Sequence, residues 1–174
     1  GVGRESCLPK TAWPPTCLFR GVIYRITERS AGSAAAIIIS ALLFGGAHIL
    51  NPNASLWTSA AIAIEAGILF GAIYAHSGNL WLPIGIHWAW NFTEGRIWGL
   101  PVSGSPKITT LFHAETSGPE LLTGGAFGPE ASLTVVITCS LLSVWLIYDL
   151  LRTRRWIPFH LPFGHMRRYC RHTR

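Results

Sequence analysis

Two histidines and an asparagine stand where the chain carries no charge: His48 in "FGGAH", and His87 with Asn91 in "GIHWAWNF". His87 and Asn91 lie four residues apart, as do Phe44 and His48, so each pair occupies one face of a helix. Polar groups at membrane depth are costly unless they meet a partner or a water-filled cavity, which makes each a candidate for function. Neutral imidazoles bind a metal or hold a water, and a carboxamide can donate to a developing oxyanion; together they suit hydrolysis. A plainer alternative is that each histidine satisfies a neighbouring carbonyl while the tryptophans form an interfacial belt. Glu65 in "AIAIEAGILFG" would cost roughly 2.5–3.5 kcal/mol as a charge at a span centre, so it is expected to be protonated, paired or beside a cavity. A structural hydrogen bond is its simpler role, catalysis the alternative.

These residues need helices to hold them. Only 13% of the 174 residues are charged, against about 25% in an ordinary soluble domain, and 49% are hydrophobic. Three stretches, 31–64, 66–93 and 131–148, contain no Lys, Arg, Asp or Glu, and all are of membrane length. The expected fold is an all-α polytopic membrane bundle of about four spans, at residues 31–50, 56–75, 80–97 and 131–150. The third is short and contains Pro83, which points to a kinked or protein-buried helix. Residues 98–130 read as a Gly/Pro/Ser-rich loop. Residues 17–29, "CLFRGVIYRITER", read as an amphipathic helix lying on the cytoplasmic surface. Small Gly45, Gly46 and Ala47 would let the first span approach a neighbour closely.

The net charge of +6 owes much to Arg152, Arg154, Arg155, Arg167, Arg168, Arg171 and Arg174. A basic cluster directly after an apolar span is a positive-inside anchor in contact with lipid head groups, more simply than a nucleic-acid arm. An even number of spans puts it on the same side as Arg20, Arg25 and Arg29, leaving Arg96 and Lys107 opposite. Cys7, Cys17, Cys139 and Cys170 show no metal or disulfide spacing. The first twenty residues have no apolar run, so they are neither a signal peptide nor a first span. No HExxH, GxSxG or phosphate-loop pattern occurs, which excludes the soluble hydrolases built on them.

The order of motifs resembles the CAAX protease and bacteriocin-processing intramembrane proteases, the Abi family, which includes the type II CAAX prenyl endopeptidases. Its pattern is Glu-Glu-x-x-x-Arg, then Phe-x-x-x-His, then His-x-x-x-Asn or Asp. Phe44 to His48 matches the second part and His87 to Asn91 the third, while "LFRG" supplies the arginine of the first as Arg20. "SGNLWLPIGIHWAWNF" and "SGPELLTGGAFGPEASL" look like bacterial members. The resemblance implies a protease domain over residues 17–150, a basic cytoplasmic tail over 151–174, and a place in a bacterial inner membrane. Its substrate would be a peptide or protein at the bilayer, with no nucleic acid involved. It further implies His48, His87, Asn91 and Arg20 as catalytic residues, and His48 and His87 as ligands if a divalent metal, zinc, takes part.

The departure from this pattern falls on the acids: the two glutamate positions are held by Pro15 and Thr16. In the family the first of that pair activates water, and losing a general base costs about 10² to 10⁴ in rate. The prolines of "WPPT" are expected to break the helix that would present the carboxylates. Residues 1–16 therefore read as foreign to the fold, through a frameshift, wrong start or truncation; alternatively the chain is a non-catalytic relative that binds peptide or confers bacteriocin immunity. A small transporter using Glu65 and the histidines as an ion path is a third reading.

Overall fold

The computed structural model describes residues 13–105 and 110–159. The amino-terminal residues, Lys107, Cys7, Cys170 and the distal arginines from Arg167 onward lie outside the described residues. Helix α1 (Trp13–Thr16) runs into a π-helical segment, Cys17–Tyr24, and on into α2 (Arg25–Ala47), which closes in a 3₁₀ turn at His48–Leu50. After "NPNAS", α3 (Leu56–Ile62), a π turn at Ala63–Ile68 and α4 (Leu69–Ser77) form the next rod. Helix α5 (Trp81–Phe92) continues through a third π turn, Thr93–Ile97. A long loop with the short α6 (Glu120–Thr123) leads to α7 (Leu133–Arg152).

The caps follow from local chemistry. At the start of α3, Ser55 and Thr58 satisfy each other's backbone N–H groups, the reciprocal box that ends an orphaned first turn. Gly78, with φ 68°, closes α4 in the left-handed conformation. Ser132 caps α7 by accepting from Val135 N.

Among the described residues, three helices are long and apolar enough to cross a membrane: Cys17–Leu50, Leu56–Ser77 and Leu133–Arg152. The expected third crossing is realised as twelve α-helical residues and a five-residue π turn, short of the about 20 that a bilayer demands. In α7, Ile137, Leu141, Val144 and Trp145 point outward, the distribution of a helix that faces lipid on most of its circumference.

Two local expectations are corrected. Residues 17–29 are not a separate surface helix but the start of the apolar segment Cys17–Leu50, and their burial is the reverse of that of a water-facing amphipathic helix. Leu18, Val22 and Ile26 are exposed, whereas Arg20 and Tyr24 are fully buried. This inversion follows from lipid as the solvent, because the apolar side chains suit the hydrocarbon and the polar one must turn inward. Nor do the prolines break the helix. Pro14 and Pro15 sit in the first turn of α1, where a missing N–H deprives no carbonyl of its partner.

Close packing between the first two spans depends on small residues, as anticipated for Gly45. A Cβ there would stand 2.5 Å from Ala63 Cβ and from Ser59 O, and one on Gly67 would stand 2.8 Å from Ala41 Cα. Gly46 faces open space. The one interruption in α2 is Gly32, with φ 86°, where the backbone turns aside to meet residues 157 and 158 beyond α7. Ser33 N donates to Ile157 O at 3.0 Å, and Ile157 N donates to Ser33 Oγ at 3.1 Å. The start of the first apolar span and the end of the last one are thereby tied together.

Candidate active site

Each of the three π segments carries one buried charged side chain: Arg20, Glu65 and Glu94. A π turn widens the helix and releases carbonyls from their usual i+4 partners, and such turns are frequent at functional sites. Here the released carbonyls have a use. Arg20 Nη2 donates to Ala66 O at 3.0 Å and to Gly67 O at 3.2 Å, both in the neighbouring π turn. Its guanidinium also lies over the Phe44 ring at 4.4 Å and the Phe70 ring at 5.5 Å. Yet Nε and Nη1 are buried with no hydrogen-bond partner, and among the described residues Arg20 meets no carboxylate.

Both histidines pack against Phe44. Its ring lies 4.7 Å from the His48 imidazole and 6.0 Å from that of His87. His48 sits where α2 ends, so the Phe44 carbonyl is free of a helical partner and accepts from His48 Nδ1 at 2.7 Å. A carbonyl can only accept, so the proton is on Nδ1 and the lone pair of Nε2 is left for a ligand. His87 Nδ1 hydrogen-bonds the Thr16 hydroxyl at 2.9 Å. Position 16 is where the family pattern has its second glutamate, and its side chain meets a histidine of the site.

His48, His87 and Asn91 line one cavity of about 450 Å³, a volume within the range of ligand sites. The structure thus brings together the three polar residues singled out by spacing, and places Arg20 behind them on Phe44. Asn91 Oδ1 is buried without a partner. The cavity is mostly apolar, with Phe44, Ile62, Leu69, Phe70 and Ile86 among its walls.

Glu65 and Glu130 occupy the other wall. Glu65 is 4% exposed, and Cys139, without a role by spacing alone, lines the same cavity. Glu130 Oε2 accepts from Ser103 N at 2.7 Å and Ser103 Oγ at 2.6 Å. Burial pushes the Glu130 carboxyl above the ordinary range, against the two Ser103 hydrogen bonds. Glu94 accepts from Trp90 Nε1 at 2.9 Å through Oε2, while its Oε1 is buried and unpartnered. The loop after α5 sets Glu130 in place: Asn51 Nδ2 donates to Ser103 O, Gly104 N to Phe127 O, and Trp57 Nε1 to Ala131 O. Sequence reasoning missed Glu94 and Glu130 as site residues. The available signals were Glu94 three residues beyond Asn91, and Glu130 at the threshold of an uncharged span.

Zinc in catalytic sites takes three protein ligands. The two imidazoles present one clear lone pair at His48 Nε2, and no group of three His, Cys, Asp or Glu side chains is arranged to hold a metal among the described residues. The residues present do not fit the group.

Residues 16–93 match the family model described as "Rce1-like: Type II CAAX prenyl endopeptidase Rce1-like". No curated protein and no solved structure matches the chain. The match ends one residue before Glu94 and well short of Glu130, covering somewhat less than half of the 174 residues. It takes in Arg20, His48, His87 and Asn91 together, so over this segment the chain is similar to the type II CAAX prenyl endopeptidases, in keeping with its helices long and apolar enough to cross a membrane.

Proposed function

We propose that the cavity is the peptide-binding and hydrolytic site of an intramembrane endopeptidase, held by this chain without its general base. The observation that carries the reading is the convergence of His48, His87 and Asn91 on one membrane-embedded cavity. His48 Nε2 accepts a proton of a water, and His87, oriented by Thr16, holds that water from α5. The water oxygen adds to the peptide carbonyl, and the Asn91 carboxamide donates to the oxyanion that forms. The proton released by the water passes to the leaving amine as the carbon–nitrogen bond breaks. With histidines alone as acceptors this proceeds slowly, since a positioned carboxylate contributes about 10² to 10⁴.

Arg20 supports this reading independently. A fully buried guanidinium with two nitrogens, Nε and Nη1, unpartnered is costly. Glutamates at 15 and 16 would stand one helical turn before it, with position 16 against His87. The orientation is that of a cell-membrane protein of bacterial type with the tail cytoplasmic: the Ser33–Ile157 tie holds Arg25, Arg29 and Arg152–Arg155 near one face, in keeping with the positive-inside rule.

The test is hydrolysis of a fluorogenic peptide library by the purified chain in lipid nanodiscs, beside the double variant P15E/T16E. The variant is expected to turn over some peptide about 10² to 10⁴ faster than the native chain. Turnover that survives His48→Ala together with His87→Ala would end the assignment. Pro15 and Thr16 favour a second reading, peptide capture without hydrolysis, in which neither chain turns over but both bind peptide and His87→Trp blocks the binding.

A further inference from the structure

Hydrolysis of an amide needs a proton donor as well as a base, because an amine leaves readily only once its nitrogen is protonated. The histidine side of the cavity offers an acceptor at His48 Nε2, and the other side offers a carboxyl group held by one of its oxygens. Glu130 lies on the 3₁₀ turn Pro129–Ala131, is 4% exposed and lines the cavity. Its Oε2 accepts from both Ser103 N and Ser103 Oγ. An N–H can only donate, so Oε2 is the acceptor oxygen and a proton on this carboxyl sits on Oε1. Oε1 takes no hydrogen bond from the described residues, and it is not sealed away as Glu94 Oε1 and Asn91 Oδ1 are. Burial favours the neutral form that carries the proton.

The loop holds this carboxyl by force. Ser103 has φ 46°, a left-handed conformation that a residue with a Cβ keeps only where its surroundings over-determine it, and such residues gather at active sites. Asn51 supplies one restraint: its Nδ2 donates to Ser103 O at 2.9 Å, while its N donates to His48 O at 3.1 Å. The turn that carries His48 and the loop that holds Glu130 are thereby joined through a single residue. A second restraint presses the two loop segments together, since Gly104 N donates to Phe127 O at 2.7 Å and a Cβ on Gly128 would collide with Pro101 O.

We propose that Glu130 is the general acid of the site, giving the proton on Oε1 to the leaving amine. The proposal rests on the cavity being hydrolytic. As the tetrahedral adduct collapses, the carbon–nitrogen bond breaks with its electron pair on nitrogen, which takes the proton from Oε1. Ser103 N–H and O–H hold the carboxylate that remains. The proton that His48 Nε2 took from the attacking water then returns to Glu130 through water in the emptied cavity, so acid and base are both restored.

The experiment compares one apolar peptide presented as an amide and as its nitrophenyl ester, whose leaving group departs without a proton, with the chain in lipid nanodiscs. E130Q keeps an acceptor for Ser103 but has no acidic proton. It is expected to lower kcat on the amide by about 10² to 10⁴, and by at least about tenfold more than on the ester. Equal losses on the two substrates would make Glu130 a structural residue and overturn the proposal, as would undiminished amide turnover. If E130Q fails to fold, anilides of the same peptide with leaving groups of graded basicity test the native chain alone. Its kcat is expected to vary by less than about tenfold across them, and a steeper dependence would overturn the proposal. So would ester hydrolysis without amide hydrolysis in the native chain, or hydrolysis of neither. The hydrolytic reading is judged separately, by turnover in P15E/T16E and its loss with His48 and His87.

Discussion

The two sides of the cavity differ in charge. On one, His48 and His87 line it with Arg20 behind them on Phe44, and no carboxylate among the described residues meets that arginine; on the other, Glu65 and Glu130 line it with Glu94 buried nearby, and no lysine or arginine among the described residues lines the cavity. Each draws one charged side chain from a π turn, Arg20 on the first and Glu65 on the second. They differ in where they sit along the chain: the basic wall falls wholly within the segment that matches the family, while Glu94 and Glu130 lie beyond it. Proximity has not resolved the imbalance. Arg20 bonds carbonyls of the very turn that carries Glu65 and still reaches no carboxylate. The unpartnered nitrogens of Arg20 are explained if they await a carboxylate near Thr16, whereas Glu130 already has its donors in Ser103.

This contrast can be broken most forcefully by giving the basic wall its acids. P15E/T16E should raise peptide turnover by about 10² to 10⁴, the largest effect expected of any change here, read by the library assay. A double-mutant cycle sharpens the cause. Arg20→Gln should cost more stability in a Thr16→Glu background than in the native chain, with a coupling of about 1.5–3 kcal/mol in micellar unfolding, the worth of a hydrogen bond to a charged group. Absence of coupling would mean that the orphan N–H groups of Arg20 do not face residue 16.

The spacing of the walls is set by the first two spans. Gly45→Leu should destabilise by about 1–3 kcal/mol through overpacking against Ala63, while Gly46→Leu should be nearly neutral, both measured by thermal unfolding in detergent. On the acidic wall, Ser103→Ala removes the hydroxyl but not the N–H from Glu130, and about 1–2 kcal/mol is expected. The smallest effect is one of pH. Because burial raises the Glu130 carboxyl, the folded chain holds its proton more tightly than the unfolded chain. That contribution is complete below the ordinary carboxylate range and is lost as the pH rises toward the raised value. Glu130→Gln should flatten this part of the stability profile in a pH series of melting temperatures.

Much of the fold was legible because lipid imposes a simple demand. Stretches without charge became the long helices, "NPNAS" and "HSGN" ended them, and the four-residue spacing of Phe44–His48 and His87–Asn91 translated directly into shared faces on one cavity. What stayed hidden was of two kinds. Residues 17–29 read as a surface helix because an amphipathic pattern has the same period wherever the helix lies; the burial of Arg20 against the Ala66 and Gly67 carbonyls, which joins them to the bundle, leaves no mark in the spacing. The acidic wall was hidden because Glu130 reaches the site through contacts with Ser103 and a loop folded over Asn51, pairings that no local period encodes. The third helix fell between these cases. Its existence and its polar face were readable, but its length leaves it below a full span.

The tie between Gly32 and the segment beyond α7 bears on the order in which the molecule can be made. Ser33 waits for a partner 124 residues further along the chain, so during synthesis the bend in the first long helix has nothing to hold it until the last span has left the ribosome. A Cβ at residue 32 would stand 2.6 Å from Pro158 O, which makes the seat too tight for any other strand-like segment to occupy casually. The final helix is thus the one that locks the first, and a ribosome halted before residue 157 would hold a bundle still open at its seam.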